Sequence, residues 1–250
     1  MSGVSCVSGI PTCRMLAFGL VVATLLVPSG AAGAGFEDRV RYTASEARGM
    51  SAVDASGYHN DGTLRGGVTR RSGAYKFHPL SKGKHRYDRI RAPHDPALNP
   101  RSAPFEFGAR VKVSRHAEWS HTEMAVVRHG DTDTAGGDYK LELVKEDDGD
   151  VSAFCVWHDG DGDCTGYVRG RGPLNTIADG NWHEITCGRV DRNTVSLTID
   201  GHETRRPVSG DLGALVSKDP LLIGFHFKQD GIQRREQFVG LMDDIHVSVR

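Results

Sequence analysis

Net charge, long apolar runs and helical periodicity are all scarce in this chain of 250 residues. Lysine and arginine number 31 against 32 acidic residues, so the formal net charge is −1 and the overall balance points away from nucleic acid as a partner. After residue 27, no apolar run approaches the length of about 20 residues that a membrane span needs. We therefore expect no membrane span in the mature chain.

The single conspicuous apolar run lies near the start, from Met15 to Val27, directly after Arg14. It is short for a membrane span, and Ala32-Gly33-Ala34 fits a small-residue cleavage site. We expect residues 1–34 to be a signal peptide and residues 35–250 to form a single domain of a secreted, extracellular protein. The alternative is an uncleaved membrane anchor, which the shortness of the run disfavours.

Cysteine is also scarce, with only 5 in the chain, of which two would leave with the signal peptide. The odd number that remains comprises Cys155, Cys164 and Cys187, in a compartment that favours disulfides. Cys155 lies in an apolar run, and Cys187 lies on the apolar face of another predicted strand. We predict a Cys155–Cys187 disulfide first and a Cys155–Cys164 bridge across an Asp-Gly turn second, and the fate of Cys164 stays open.

Alternation with a period of two replaces the missing helical pattern. It is clearest in the pair formed by 182–189 and 195–201, where Ile185 and Cys187, and then Val195, Leu197 and Ile199, fall on single faces. Further strands are expected over 105–113, 139–143, 151–157, 221–227 and 239–249. The intervening breaks are rich in Gly, Asp, Asn and Pro, so the sequence predicts an all-β sandwich or barrel.

Several short motifs occur in a fixed order along residues 50 to 249. They are Asp54-x-Ser56-Gly57-x-x-Asn60-Asp61-Gly62-Thr63, Asp179-Gly180-Asn181-Trp182-His183, Asp200-Gly201, Pro220-Leu221-Leu222-Ile223-Gly224, and Phe238-x-Gly240-x-Met242-Asp243-Asp244-Ile245. Together they resemble the laminin-G-like domains of the concanavalin A-like lectin/glucanase superfamily. The resemblance implies a jelly-roll β-sandwich of two antiparallel sheets packed face to face.

Asp243 stands out because strict alternation along the last strand places it on the apolar face with Leu241 and Ile245. An ionised carboxylate there needs a partner. One interpretation is hydrogen bonding to backbone N–H groups of the first loop. The other is structural calcium, which the resemblance implies because such domains often hold calcium where that loop meets the last strand, and Asp54 and Asn60 would then be the matching ligands.

The sequence lacks the motifs of familiar catalytic sites. Laminarinase-type relatives use an E-x-D-x-x-E strand with paired carboxylates about 5 Å apart, whereas the single E-x-D here, Glu146-x-Asp148, lies in a turn and has Val151 in place of the second glutamate. We therefore predict a protein that is not an enzyme. A glycoside hydrolase or polysaccharide lyase with an unfamiliar site is the lesser alternative.

Carbohydrate is the first expectation for the ligand, in the form of a polysaccharide or cell-wall glycan. Lectins of this fold place an aromatic ring against a sugar and surround it with polar side chains, and the candidates here are Trp119, Tyr139, Trp157 and His158. The competing interpretation is that these rings pack in the core or are scattered over the surface. A domain that binds an extracellular protein, or that serves adhesion, is the alternative function.

Overall fold

The computed structural model describes residues 35–45, 49–80, 87–131, 135–160, 164–229 and 233–250. The predicted signal peptide, residues 1–34, lies outside these ranges. The described residues all belong to one compact unit, Ala34–Arg250. No helix in these ranges is long and apolar enough to cross a membrane.

Short strands make up most of the described chain. The first nine are β1 (Glu37–Tyr42), β2 (Ser51–Ala52), β3 (Gly62–Arg65), β4 (Thr69–Arg71), β5 (Ala74–Phe77), β6 (Arg89–Ala92), β7 (Phe105–Lys112), β8 (Glu123–His129) and β9 (Asp138–Lys145). The others are β10 (Val151–His158), β11 (Cys164–Gly170), β12 (Trp182–Arg189), β13 (Thr194–Ile199), β14 (His202–Pro207), β15 (Leu221–Ile223), β16 (Phe225–Gln229), β17 (Gln233–Gln237) and β18 (Gly240–Val249). One 3-10 turn, Pro96–Leu98, follows β6.

These strands form two large antiparallel sheets and one hairpin. The first sheet has the order β14-β13-β12-β7-β18-β5-β4, with β1 also paired to β18. The second sheet has the order β11-β10-β9-β8-β15-β6-β3-β2, and β16 pairs with β17 alone. The prediction of an all-β jelly-roll sandwich is confirmed.

Aromatic side chains join the two sheets across the core. Phe107 of the first sheet contacts Tyr139 and Trp157 of the second, with ring centroids 4.8 Å and 5.8 Å apart. All three rings are buried, and each is flanked along its strand by further inward-facing apolar residues at every second position. Burial of rings of this size supplies a large share of the apolar stabilisation of a sandwich.

A disulfide also connects the sheets. Cys155 of β10 and Cys187 of β12 are bonded, with their Cα atoms 5.8 Å apart. The first of the two predicted pairings is therefore confirmed. Cys164 begins β11, and its side chain lies outside the described residues.

The last strand departs from strict alternation, and this corrects the placement of Asp243. A register shift separates Asp243 from His246, and Asp244 has a positive φ of 49°. Met242 and Ile245 consequently both point into the core, three positions apart. A bulge adds one residue and reverses the faces beyond it, so Asp243 lies on the outer side of the first sheet and not on the core face.

Candidate functional site

An open pocket lies at the turn between β9 and β10. It has a volume of about 210 Å³ and is lined by Arg115, Trp119, Lys145, Asp148, Gly149, Asp150, Val151, Thr176 and Ala178. Trp119 is half-buried and packs partly against the core, which fixes the ring while leaving part of it accessible. The structure therefore combines an aromatic surface with charged side chains of both signs in one depression.

Arg171 holds the two carboxylates of this pocket. Its Nη2 lies 2.8 Å from Asp148 Oδ2, and its Nη1 lies 3.2 Å from Asp150 Oδ2. The hydrogen bond from Arg171 lowers the pKa of Asp148 below its usual value. The backbone N–H of Asp150 also lowers this pKa, because it donates to Asp148 Oδ1 over 3.0 Å across the tight turn at Gly149. The pocket thus presents oriented hydrogen-bond acceptors at neutral pH.

Two of the predicted sugar-stacking rings are not available to a ligand. Tyr139 and Trp157 are fully buried and face the core, where both contact Phe107. The prediction is wrong for these two residues because each shares its strand face with inward apolar neighbours, Leu141 for Tyr139 and Cys155 for Trp157. Neither ring lies in the Trp119 pocket.

His158, the fourth predicted residue, belongs to a charged network on the outer face of the second sheet. Its Nδ1 contacts the carboxylate of Asp138 directly across the β9–β10 pair. Arg128 of β8 continues the network, with Nη2 at 3.3 Å from Asp138 Oδ2 and at 2.8 Å from Asp131 Oδ1. Each charge is neutralised by a neighbour, so this arrangement serves first to hold the three strands and the adjoining loop together.

The same network reaches the β16–β17 hairpin. His226 of β16 lies 3.1 Å from Arg128 Nη1 and 3.2 Å from Glu236 Oε2 of β17. A further ion pair joins Lys140 Nζ to Glu142 Oε1 over 2.8 Å. The contact of His226 with Arg128 ties the hairpin to the outer face of β8, whereas the Lys140–Glu142 pair lies within β9.

Three carboxylates meet where the hairpin approaches the sheet. One oxygen each of Glu123, Glu142 and Glu236 lies within 4.8 Å of the others. Sequence reasoning did not single out this group. Alternation could have placed Glu142 on the outer face, opposite Leu141, but the approach of Glu236 depends on a hairpin fold that no local pattern indicates.

The residues proposed for calcium are occupied by other partners. Asp54 Oδ1 accepts hydrogen bonds from the backbone N–H groups of Arg41 and Ser56, and Oδ2 accepts from Ser56 Oγ and Asn60 N, all over 2.8–2.9 Å. Asn60 Nδ2 donates to Arg39 O over 2.8 Å. Calcium requires several oxygen ligands directed at one point, and a metal ion at Asp54 would have to displace these donors.

Asp243 has a different partner. Its Oδ2 lies 3.6 Å from Arg110 Nη1, and burial is the largest influence raising the pKa of its carboxyl. Asp54 itself, and not Asp243, makes the hydrogen bonds to backbone N–H groups of the first loop. Calcium binding by Asp54, Asn60 and Asp243 stays a prediction that these contacts do not support.

Residues 165–250 match the family model described as the laminin G domain. The match covers β12 to β18 and most of β11, and it confirms the resemblance seen in the sequence motifs. No curated protein matches the chain at the level of sequence. Over residues 165–250 the chain is therefore similar to laminin G domains, and its described strands form a β-sandwich of two antiparallel sheets.

Solved structures with a similar fold include the binding domains of several toxins. The binding domain of Paraclostridial Mosquitocidal Protein 1 superposes with a TM-score of 0.61 at 13% identity, covering 86% of this chain and 49% of that one. The binding domain of botulinum neurotoxin DC in complex with rat synaptotagmin II gives 0.59 at 11% identity, with coverages of 84% and 48%. The ligand-binding domain of botulinum neurotoxin serotype D in complex with N-acetylneuraminic acid gives 0.58 at 14%, with coverages of 86% and 48%.

This chain spans about half the length of these neighbours. At such low sequence identity the similarity shows the fold alone. It places the chain among β-sandwich domains and assigns no ligand to it.

Proposed function

We propose that this protein is a secreted, non-catalytic carbohydrate-binding module and that the Trp119 pocket holds a sugar ring. The single observation that carries the proposal is the combination in one depression of a half-buried tryptophan with Arg115, Lys145, Asp148 and Asp150. A sugar has an apolar C–H face and a rim of hydroxyl groups. An aromatic surface accommodates the face, and charged side chains hydrogen-bond to the rim.

The size of the pocket limits what it can hold. Its volume of about 210 Å³ lies below the range of about 300–1,000 Å³ that is usual for sites enclosing a whole small molecule. A pocket of this size suits one ring of an extended glycan, with neighbouring sugars passing over the turn at Gly149. Polysaccharide or cell-wall glycan is therefore the ligand class that we propose.

The structural neighbours support a binding role in general terms. One is solved with N-acetylneuraminic acid, and another with a protein, synaptotagmin II. These two ligands keep the alternative open that this chain binds an extracellular protein. A protein ligand would be indicated if no glycan bound and if a secreted or surface protein bound to the rim formed by Trp119 and its neighbours.

Catalysis is the weaker alternative. The separation of Glu123, Glu142 and Glu236 is compatible with the spacing of about 5 Å in retaining glycosidases. Glu142 is nevertheless paired with Lys140, and Glu236 is paired with His226. Release of reducing sugar or unsaturated product from a polysaccharide panel would establish an enzyme, and removal of the signal in Glu142→Gln would locate the site.

The decisive test is a glycan array, followed by titration of the best glycan into three proteins. Trp119→Ala should weaken binding by up to about tenfold, since one aromatic contact is worth up to about 1.5 kcal/mol. Trp182→Ala is the matched control, because Trp182 is also half-buried but stacks with Arg110 on the first sheet, with 4.8 Å between guanidinium and ring centroid. Equal affinity in all three proteins would remove Trp119 from the site.

A further inference from the structure

Three arginines lie together on the outer face of the second sheet, where β3 pairs with β6. Arg65 lies directly opposite Arg89, and Arg91 lies two positions further along β6, opposite Thr63. The residues that alternate with them along both strands are buried in the core, so the three arginine side chains point away from it. Opposite positions are about 5 Å apart at Cβ, and positions two apart on a strand are separated by about 7 Å. The three guanidinium groups can therefore reach one small ligand.

The positive charge of this cluster is not offset by the protein. None of the three arginines forms a salt bridge within the ranges that the structure describes, where Arg89 Nη1 contacts Tyr87 O over 3.4 Å. Burial is the main cause that lowers the pKa of Arg89, and the charges of Arg65 and Arg91 lower it further. Like charges at opposite positions of a sheet are destabilising. A bound anion would relieve this repulsion.

The acidic residues beside these strands are engaged elsewhere. Asp88 directly precedes β6, but it is buried and accepts hydrogen bonds from two backbone N–H groups on the inner side. Asp61 precedes β3 at the end opposite Arg65, and its Oδ1 accepts the backbone N–H of Asp54 over 2.8 Å. In the neighbouring hairpin, Glu236 is buried and paired with His226. The cluster therefore keeps its positive charge.

The closeness of the three guanidinium groups favours a compact ligand with more than one negative charge. A guanidinium binds phosphate through two parallel hydrogen bonds, a geometry that lysine does not offer. A phosphomonoester carries a charge of about −1.5 to −2 at pH 7 and three acceptor oxygens, whereas a carboxylate or a sulfate ester carries a single charge. Thr63 lies beside Arg91 on the same face and is half-buried, so its hydroxyl supplies a neutral donor.

We propose that Arg65, Arg89 and Arg91 bind the phosphomonoester group of a ligand, with Thr63 Oγ1 as a further donor. This site shares no residue with the Trp119 pocket, so the inference does not depend on the proposed sugar site. Two sources carry such a group, a phosphorylated sugar and the head group of a lipid such as phosphatidic acid. They are separated by the choice of probe.

The test is titration of the purified protein at low ionic strength and about pH 7.5, where a phosphomonoester is mostly a dianion. The soluble probes are glucose 6-phosphate, glucose 6-sulfate and glucose, and the lipid probes are phosphatidylcholine vesicles with and without phosphatidic acid. The phosphorylated sugar or the vesicles with phosphatidic acid should bind. Glucose 6-sulfate and glucose should bind at least about tenfold more weakly than glucose 6-phosphate. The affinity for phosphate should fall at about pH 5, where the group loses one charge.

Arg89→Gln and Arg65→Gln should each weaken binding of phosphate by about tenfold or more, because charge-assisted hydrogen bonds are lost. Arg65→Gln should unfold at the same temperature as wild type or higher, since Arg65 is exposed and its removal relieves repulsion. This readout separates loss of the site from loss of folding. The matched control is Arg192→Gln, which changes an exposed arginine in the turn between β12 and β13 and should keep full affinity.

Trp119→Ala should also keep full affinity for phosphate, which separates this site from the proposed sugar site. Binding of glucose 6-phosphate without binding to vesicles assigns the site to phosphorylated sugars, and the reverse assigns it to a lipid head group. Equal affinity for glucose 6-sulfate, no binding of either phosphate, or full affinity in Arg89→Gln and Arg65→Gln overturns the proposal.

Discussion

Burial sets the charge state of His129. This residue ends β8, is only 1% exposed, and lies beside the ring of His94, with 6.2 Å between the two centroids. Burial is the largest influence that lowers its pKa, to about 4, and His94 acts in the same direction. Asp219 and Asp138 favour the charged form but do not offset these effects. The folded protein therefore holds this imidazole neutral.

A loss of stability in mild acid follows. Between pH 6.5 and about pH 4 the unfolded chain binds a proton at this histidine that the folded chain does not, so the free energy of unfolding falls as the pH falls. The loss from this one residue is about 3 kcal/mol across the window, with no further loss below it. The free energy of unfolding, measured with urea at several pH values, should depend less steeply on pH in His129→Gln than in wild type.

The control for this measurement is His116→Gln, which changes an exposed histidine in the loop after β7. The free energy of unfolding of this variant should depend on pH as steeply as that of wild type. If the free energy of unfolding depended on pH equally in wild type and in His129→Gln, the buried imidazole would not set the response to acid.

Asp54 provides a second prediction at the scale of one residue. Its carboxylate accepts four hydrogen bonds that close the first loop. Asp54→Ala should lower the free energy of unfolding by about 2–4 kcal/mol, because several buried donors lose their acceptor. Thermal unfolding should give the same midpoint with calcium and with a chelator. A chelator-sensitive midpoint in wild type that disappears in Asp54→Ala would establish the calcium site instead.

Individual residues differ in how far their sequence context revealed their role. Trp119 stands among polar residues outside any alternating segment, and its partial exposure was predictable. The burial of Tyr139 and Trp157 was also indicated, because each alternates in step with apolar neighbours of its own strand. The approach of Glu236 to Glu123 and Glu142 was not predictable, because it depends on the position of the β16–β17 hairpin, and contacts between distant strands are not contained in a local pattern.

Among the structural elements, β10 and β12 are joined most firmly, because the Cys155–Cys187 disulfide crosses from one sheet to the other. The two cysteines are 32 positions apart, and a closed loop of this length is expected to contribute about 3–4 kcal/mol by restricting the unfolded chain. The double variant Cys155→Ala/Cys187→Ala should lose about this amount in urea unfolding.

Cys164→Ser is the control for the disulfide prediction, and it should unfold at the same urea concentration as wild type. A reducing agent should lower the stability of wild type and of Cys164→Ser equally. If the double alanine variant were as stable as wild type, the core around the disulfide would hold the sheets together without it.

Two strands show where alternation fails as a guide. Residues 221–227 were expected to form one strand, but the chain turns at Gly224, which has a φ of 81° and no room for a side chain beside Phe77. β15 therefore stays in the second sheet while β16 leaves it to form the hairpin with β17. In β18 the bulge at Asp244 reverses which residues of the strand point into the core. Both departures occur at positive φ values, which depend on tertiary packing more than on composition.

At the scale of the whole molecule, the ordered motifs were sufficient for the fold class. The Trp182–Gly201 segment is the paired β12–β13 unit that its alternation predicted, and the match over residues 165–250 agrees. Strand order was not predictable in the same way. β18 lies between β7 and β5 in the first sheet, and its position there is set by the closure of the sandwich around a common core.

The carbohydrate-binding claim is tested most directly by titrating the strongest glycan from an array into wild type, Trp119→Ala and Trp182→Ala under one set of conditions. The structure predicts saturable binding to wild type and to Trp182→Ala, and a loss of up to about tenfold in Trp119→Ala. If no glycan bound to wild type, or if Trp119→Ala bound as tightly as wild type, the proposed sugar site would be contradicted.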